Sequence, residues 1–145
     1  MPSIWGKSPR QSIEAECERR GKQAVVSGCL ELLAGGAADP DFLLALAGPG
    51  AEQVISGREG GLGGYWPRVW AARGLLYAWD DRATPSVVEG TRDEAWRVRE
   101  MALKVIARHE LGEAIDAVAA LQDDPVARVR AAAERALVIL TSARA

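Results

Sequence analysis

A short pattern, Asp-x-x-x-x-Val-Arg, occurs twice in the chain and is the feature that most constrains its fold. The copies span residues 93–99 and 124–130, so they lie 31 residues apart. Apolar residues follow each copy at the spacing of one helix face. They are Met101, Ala102, Val105 and Ile106 in the first copy, and Ala132, Ala133, Ala136, Leu137 and Leu140 in the second. A unit that recurs with a period of roughly 20–50 residues predicts stacked structural repeats.

A second helical pattern lies between the two copies, so each repeat is predicted to be a helix pair. Its apolar positions are Leu111, Ala114, Ile115, Val118 and Leu121. A shorter counterpart precedes the first copy and begins at Thr84-Pro85, a pair that suits the N-cap and first position of a helix. Shifted by 31 residues, Val87 falls on Val118, so the register holds across the whole unit.

The repeated motif, the alanine-rich helix after it and the turn Asp123-Asp124-Pro125 resemble HEAT-like repeats of the short bacterial type, which bilin lyases share. The resemblance covers residues 65–140 well and residues 1–64 poorly. It implies an all-α fold, a right-handed α-α superhelix of about three to four helix pairs, which is an α-solenoid.

The resemblance also implies a structural role for the motif residues. In such repeats the aspartate and the arginine form a hydrogen-bonded ladder between neighbours, which here would comprise Asp93, Arg99, Asp124 and Arg130. An arginine fork and a carboxylate satisfy each other well at a partly buried helix start. We therefore expect these four residues to support the scaffold.

The length of 145 residues fits one domain, which we divide into three parts. Residues 1–47 predict three helices, beginning near Pro9, Lys22 and Pro40, that form an N-terminal cap and a degenerate repeat. Residues 48–64 contain seven glycines in 17 positions, which disfavours helix and predicts a connection between repeats. A turn of helix within 51–56 and a loop that holds a ligand remain alternatives there. Residues 65–145 carry the HEAT-like repeats.

The helix predicted from Trp66 to Trp79 is apolar around most of its circumference and departs from the motif. Gly64 stands where the aspartate is expected and Trp70 where the arginine is expected, so the ladder should be interrupted here. Arg73 occupies an apolar position of this helix. A buried guanidinium needs a partner, and the candidates are Asp80, Asp81 and Glu100, although a ligand-facing role is the alternative.

Tryptophan and arginine residues near the helix starts are the candidate functional residues. Arg68, Arg97 and Arg128 each precede one of the aligned valines, and we expect them to follow one edge of the stack. Tryptophan and arginine dominate binding hot spots, and they also stack on bases and hold phosphates. Burial in the core and simple solvation are the alternatives. The predicted partner-binding set is Trp66, Arg68, Trp70, Trp96 and Arg97.

Charge and composition favour no catalytic or metal site. The net charge is −2, and basic and acidic residues are present in similar numbers in each half. The charge therefore does not suggest that the protein binds nucleic acid or an anionic membrane. No serine or cysteine stands in a recognisable catalytic turn, and His109 lacks companions that could complete a metal site. We predict free thiols at Cys17 and Cys29, no cofactor and no enzymatic activity. The lack of a signal peptide or apolar span predicts a cytoplasmic protein.

The predicted function is that of a scaffold or adaptor that binds a protein partner. The predicted binding surface is the concave face, which is rich in tryptophan and arginine. We expect the protein to be a monomer or weak homodimer. The alternative is a nucleic-acid-binding protein distantly similar to the DNA glycosylases built on HEAT-like repeats. Those enzymes use an aromatic cleft with an acid, for which the tryptophans and Asp80 or Asp81 are the candidates here. No residue supports a bilin site.

Overall fold

The structure, a computed structural model, describes residues 8–48 and 64–142. Over these two ranges the regular structure is helical and contains no strand, so the all-α prediction is confirmed. The α-helices are α1 (Pro9–Arg20), α2 (Lys22–Leu33), α3 (Pro40–Ala47), α4 (Trp66–Tyr77), α5 (Thr84–Gly90), α6 (Trp96–His109), α7 (Ile115–Ala120) and α8 (Ala127–Ser142). Short 3-10 helices span Asp81–Ala83, Gly112–Ala114 and Leu121–Asp123. None of the helices just named is long and apolar enough to cross a membrane.

The chain divides into two compact units, Met1–Asp81 and Arg82–Ala145. The prediction of a single domain over 1–145, with parts 1–47, 48–64 and 65–145, stays a prediction. Most of the glycine-rich part, residues 49–63, lies outside the described residues, as does the turn of helix proposed for 51–56.

The helix starts of the first unit follow from their capping residues. The Ser8 hydroxyl accepts a hydrogen bond from the Gln11 N–H at 3.1 Å, and the Gln11 side chain accepts one from the Ser8 N–H at 3.0 Å. This reciprocal pair satisfies two N–H groups that have no partner inside α1. Asp39 caps α3 in a similar way, since its carboxylate accepts from the Phe42 N–H at 2.8 Å. Both helices begin where the Ser8-Pro9 and Asp39-Pro40 pairs predict.

The core of the first unit forms where α4 packs against α2 and α3. Its buried residues include Ile13, Val25, Cys29, Leu43, Leu46 and Leu75. Gly74 allows the close approach, because a Cβ atom built there would lie 2.8 Å from Cys29 Sγ and 3.0 Å from Leu46 Cδ2. A larger residue at this position would push the helices apart, so the missing side chain sets their separation.

Arg73 lies inside the first unit, and its partner is a carbonyl group instead of a carboxylate. Its Nη2 donates to the Leu46 carbonyl at 2.9 Å, while its Nε is buried with no hydrogen-bond acceptor. Burial lowers the pKa of Arg73, and the nearby Tyr77 opposes this only in part. The last carbonyls of a helix lack partners within it and attract cations, so Arg73 completes the end of α3. The predicted ion pair with Asp80, Asp81 or Glu100 is therefore corrected.

Another carboxylate in the first unit is buried and paired. Glu16 is only 1% exposed, and it forms ion pairs with Arg19 and Arg20 on the same helix. Arg20 also contacts Asp39 at 3.2 Å, and its Cζ lies 5.2 Å from the centre of the Phe42 ring. Arg20 thus ties the end of α1 to the start of α3.

The second unit buries the predicted stripes of α6 and α8 against each other. Val98, Leu103 and Ile106 of α6 are completely buried, as are Val129 and Ala136 of α8. The helix predicted between the motif copies is broken into two 3-10 turns and the six-residue α7. Before this segment, α6 ends at His109, and Glu110 adopts a left-handed conformation with φ of 51°. The break fits Gly112, which is a poor helix former just after that turn.

Candidate functional site

A cluster of charged residues around Trp96 is the candidate functional site of the second unit. Trp96 is the first residue of α6 and is half-buried. The Cζ atom of Arg97 lies 4.5 Å from the centre of the Trp96 ring, and that of Arg128 lies 5.3 Å from it. Both distances are within the range in which a guanidinium is attracted to an aromatic face. One indole therefore has two arginine side chains packed on it.

Glu100 holds the second of these arginines in a defined orientation. Arg128 Nε donates to Glu100 Oε2 at 3.0 Å, and Arg128 Nη2 donates to Glu100 Oε1 at 3.2 Å. The Glu100 residue is 7% exposed, whereas the Arg128 side chain is 65% exposed. Lys104, one turn further along α6, has its Nζ 4.0 Å from Glu100 Oε2. A buried carboxylate thus orients a guanidinium whose other edge faces solvent.

The repeat places Arg97 and Arg128 at equivalent positions. Each stands immediately before a motif valine, Val98 or Val129, that is fully buried. Neighbouring residues on a helix point about 100° apart, so the residue before a buried valine is turned away from the core. Both arginines are accordingly at least partly exposed. The register that buries the valines also exposes the arginines.

The ladder residues lie in the same unit and link its two motif copies. Arg99 Nε and Nη2 donate to the two carboxylate oxygens of Asp124 at 2.8 and 3.2 Å. Arg99 Nη1 also donates to the Asp93 carbonyl at 2.9 Å, and Arg130 Nη1 donates likewise to the Asp124 carbonyl at 2.6 Å. Each motif arginine thus donates a hydrogen bond to the carbonyl of the aspartate in its own motif copy. Arg99 additionally binds the aspartate carboxylate of the next copy.

The environment of Asp124 favours its charged form. Burial alone would raise the pKa of Asp124, but hydrogen bonds from the Arg99 side chain and the Val126 N–H outweigh it. The charges of Arg99 and Arg130 act in the same direction, and the pKa of Asp124 lies below its usual value. The Asp93 carboxylate makes the equivalent backbone contact, accepting from the Ala95 N–H at 2.8 Å.

The remaining predicted site residues belong to the first unit. Trp66 and Arg68, in the first turn of α4, are half-buried. The Trp66 ring centre lies 5.1 Å from that of Tyr65, with the rings tilted by 40°. Trp70 is only 6% exposed and belongs to the core. The structure therefore brings Trp96 and Arg97 together within one unit, while Trp70 has little surface to offer a partner.

Glu100 and Arg128 lie outside the partner-binding set that the sequence predicts. Arg128 was recognised as equivalent to Arg97, whereas Glu100 was assigned as a candidate partner of Arg73; the structure pairs it with Arg128. One signal was present in the sequence. Glu100 follows the motif arginine in the first copy, where the second copy has Ala131. A carboxylate that breaks the match between repeats indicates a contact particular to that repeat.

The two thiols and the potential metal ligands form no reactive or metal-binding site within the described residues. Burial raises the pKa of Cys29 to about 12, and burial likewise raises the pKa of the half-buried Cys17. Such thiols are mostly protonated near neutral pH and are poor nucleophiles. Within residues 8–48 and 64–142, no three His, Cys, Asp or Glu side chains are grouped so that they could hold a metal ion.

Comparison with known proteins supports the interpretation of the repeats. A family profile described as HEAT repeats matches residues 65–138, which is just over half of the chain. Searches among curated proteins and among solved structures gave no match. HEAT repeats generally act as scaffolds for protein interactions, and the family is typically non-enzymatic. The predicted fold class, an all-α solenoid of HEAT-like helix pairs, is confirmed. The chain belongs to the HEAT repeat family.

Proposed function

We propose that this protein is a non-enzymatic HEAT-repeat adaptor that binds a protein partner. The contact surface that we propose is formed by Trp96, Arg97 and Arg128, and is called the Trp96 face below. The observation that carries the proposal is the packing of two partly exposed guanidinium groups on one half-buried indole. Tryptophan and arginine side chains contribute most of the free energy at many protein interfaces, especially when they are held in place before binding.

Trp66 and Arg68 remain proposed contact residues of the first unit. Both are partly exposed in the first turn of α4. Trp70 differs, because it is buried, and we propose that it stabilises the core of that unit. The free thiols of Cys17 and Cys29 suit the reducing cytoplasm, where we propose that the protein acts as a monomer or weak homodimer.

Nucleic-acid binding is the second candidate function, favoured by the same tryptophan and arginine residues. The charge of the second unit speaks against it, since residues 82–145 contain ten basic and ten acidic residues. Proteins that bind nucleic acid through its phosphates usually present a clear excess of positive charge. We therefore place protein binding first.

An affinity-capture comparison tests the proposed function. The immobilised wild-type protein is expected to retain a defined set of proteins from a nuclease-treated lysate, and the Trp96→Ala variant is expected to retain them at least about fivefold less. Truncating the indole removes the platform on which both arginines pack. Retained proteins are quantified by mass spectrometry, and circular dichroism checks that the variant keeps its helical content.

The matched control is Trp79→Ala, which removes a tryptophan of similar partial exposure from the first unit. It should leave the captured set unchanged. Equal capture by wild-type protein and Trp96→Ala would contradict the proposal. So would a set of proteins that is captured from an untreated lysate but not from the nuclease-treated one, which would favour the nucleic-acid function instead. If Trp96→Ala loses its helical content, Arg97→Ala tests the same face without removing the ring.

A further inference from the structure

We propose that the partner presents an acidic peptide segment, and that the outer edge of Arg128 receives one of its carboxylates. This inference rests on the proposed function, because it specifies the chemistry of the partner at the Trp96 face. It follows from four features of that face: the donors that Arg128 leaves unused, the groups that fix its position, the charged side chains beside it, and the surroundings of the indole.

Arg128 retains hydrogen-bond donors after its internal contacts are made. Its Nε and one Nη2 hydrogen point to Glu100. Both Nη1 hydrogens and the second Nη2 hydrogen have no acceptor within the described part of the chain, and the side chain is 65% exposed. Nη1 and Nη2 form an edge of the planar guanidinium that fits the two oxygens of a carboxylate. The inner edge of the guanidinium is thus occupied, while the outer edge is open.

The position of this edge is fixed before a partner arrives. An exposed arginine normally samples many rotamers, and ordering it on binding costs free energy. Here the bidentate contact with Glu100 and the packing on Trp96 restrain the guanidinium. Glu100 is a positioning residue, since it is buried and acts on the partner through Arg128.

The local charge favours an anion despite the presence of Glu100. Three cationic side chains, Arg97, Lys104 and Arg128, lie against the Trp96 ring or the Glu100 carboxylate. The single carboxylate among them is turned inward and engaged by Arg128. An incoming carboxylate would therefore meet three cationic side chains around one inward-turned carboxylate, with the Arg128 donors already aligned.

The surroundings of Trp96 favour a peptide over a nucleic acid. Base stacking needs an open aromatic face, whereas two guanidinium groups already pack within 4.5 and 5.3 Å of this ring. Phosphate binding along a nucleic acid also needs a row of cations that exceeds the acidic residues, and the second unit has equal numbers of both. A short acidic segment needs only one or two well-placed arginines.

Selection from a random peptide library tests this inference. A phage-displayed library of random dodecapeptides is selected on the full chain, and the most enriched peptide is synthesised with a fluorescent label. We expect the enriched sequences to contain more Asp and Glu than the starting library. In anisotropy titrations, Arg128→Gln and Arg128→Lys are both expected to weaken binding by about tenfold, because lysine keeps the charge but loses the fork.

Arg135→Gln is the matched control, since it removes the same charge from an exposed position of the same helix. It should change the affinity by less than about twofold. The role of Glu100 is tested by Glu100→Gln in two backgrounds. It should weaken binding in the wild-type protein but have no further effect in Arg128→Gln, whereas a merely structural role would weaken binding in both.

Three results would overturn the inference. They are a lack of enrichment for carboxylates, equal binding by wild-type protein and Arg128→Gln, and tighter Arg128-dependent binding of a single-stranded thymidine oligonucleotide than of the selected peptide. If proteins are still captured through Trp96 in the lysate experiment, such results reject the acidic segment and leave the protein-binding function intact.

Discussion

Replacing Asp124 by alanine is expected to lower the free energy of unfolding by about 3 kcal/mol. The Asp124 side chain is 3% exposed, and it accepts two hydrogen bonds from Arg99, whose own side chain is 12% exposed. Removing the carboxylate leaves that guanidinium without its charged partner in a mostly buried place and also frees the Val126 N–H. Urea unfolding followed by circular dichroism measures the change.

Asp123→Ala provides the control, because it deletes the same charge from the exposed neighbouring position. It should alter stability by less than about 0.5 kcal/mol.

The dependence of stability on acid pH provides a second test of the Asp124 contacts. The pKa of Asp124 is lowered in the folded state. Its contribution to the free energy of unfolding is therefore fully present above the pKa of an unfolded aspartate, about 4, and is lost as the pH falls through the lower folded pKa. Asp124→Asn should lack that part of the acid destabilisation, and equal acid sensitivity in both proteins would argue against the ladder.

Replacing Gly74 by alanine is expected to destabilise the protein by about 2 kcal/mol, although alanine favours helix by about 1 kcal/mol. The new Cβ would lie 2.8 Å from Cys29 Sγ, an atom on a short and fully buried side chain that has little room to move. Overcrowding between α2 and α4 should therefore outweigh the gain in helix propensity. The same urea unfolding measurement applies.

The double variant Cys29→Ala/Gly74→Ala separates the two effects. Removing the sulfur gives the new methyl group space, so the double variant should be more stable than Gly74→Ala alone by at least about 1 kcal/mol. Gly112→Ala is the control for adding a methyl group without a clash, since a Cβ there would have no atom within 4 Å. A stabilising effect of Gly74→Ala would show that the helices separate at little cost and would refute the tight packing described here.

The sequence predicted the helices wherever apolar spacing and capping residues agreed. The Ser8-Pro9 and Asp39-Pro40 pairs marked the starts of α1 and α3, and the stripes after Val98 and Val129 are mostly buried. These features involve residues that are close together in the chain, so they can be recognised from a single sequence. The family resemblance could be recognised for the same reason, since the motif and its 31-residue period are features of the sequence itself.

Partners that lie far apart in the sequence were harder to predict. The apolar position of Arg73 suggests a carboxylate partner, but its guanidinium reaches the end of α3 and donates to the Leu46 carbonyl. Glu100 was considered for Arg73 and binds Arg128 instead. Helical spacing shows which face of a helix a residue occupies, but not which side chain of another helix meets it. The tryptophans illustrate this point, because Trp70 is buried and Trp96 is half-exposed although both lie near the start of a helix.

Nuclear magnetic resonance of the complex would show whether the partner binds at the Trp96 face. The protein, labelled with ¹⁵N, is titrated with the protein that it captures most strongly from the lysate. The indole N–H signal of Trp96 and the Nε–H signal of Arg128 are expected to shift on binding, while the Nε–H signal of Arg99, held by Asp124, is expected to stay in place. Unchanged signals from Trp96 and Arg128 during saturable binding would show that the partner binds elsewhere and that the Trp96 face is not the contact surface.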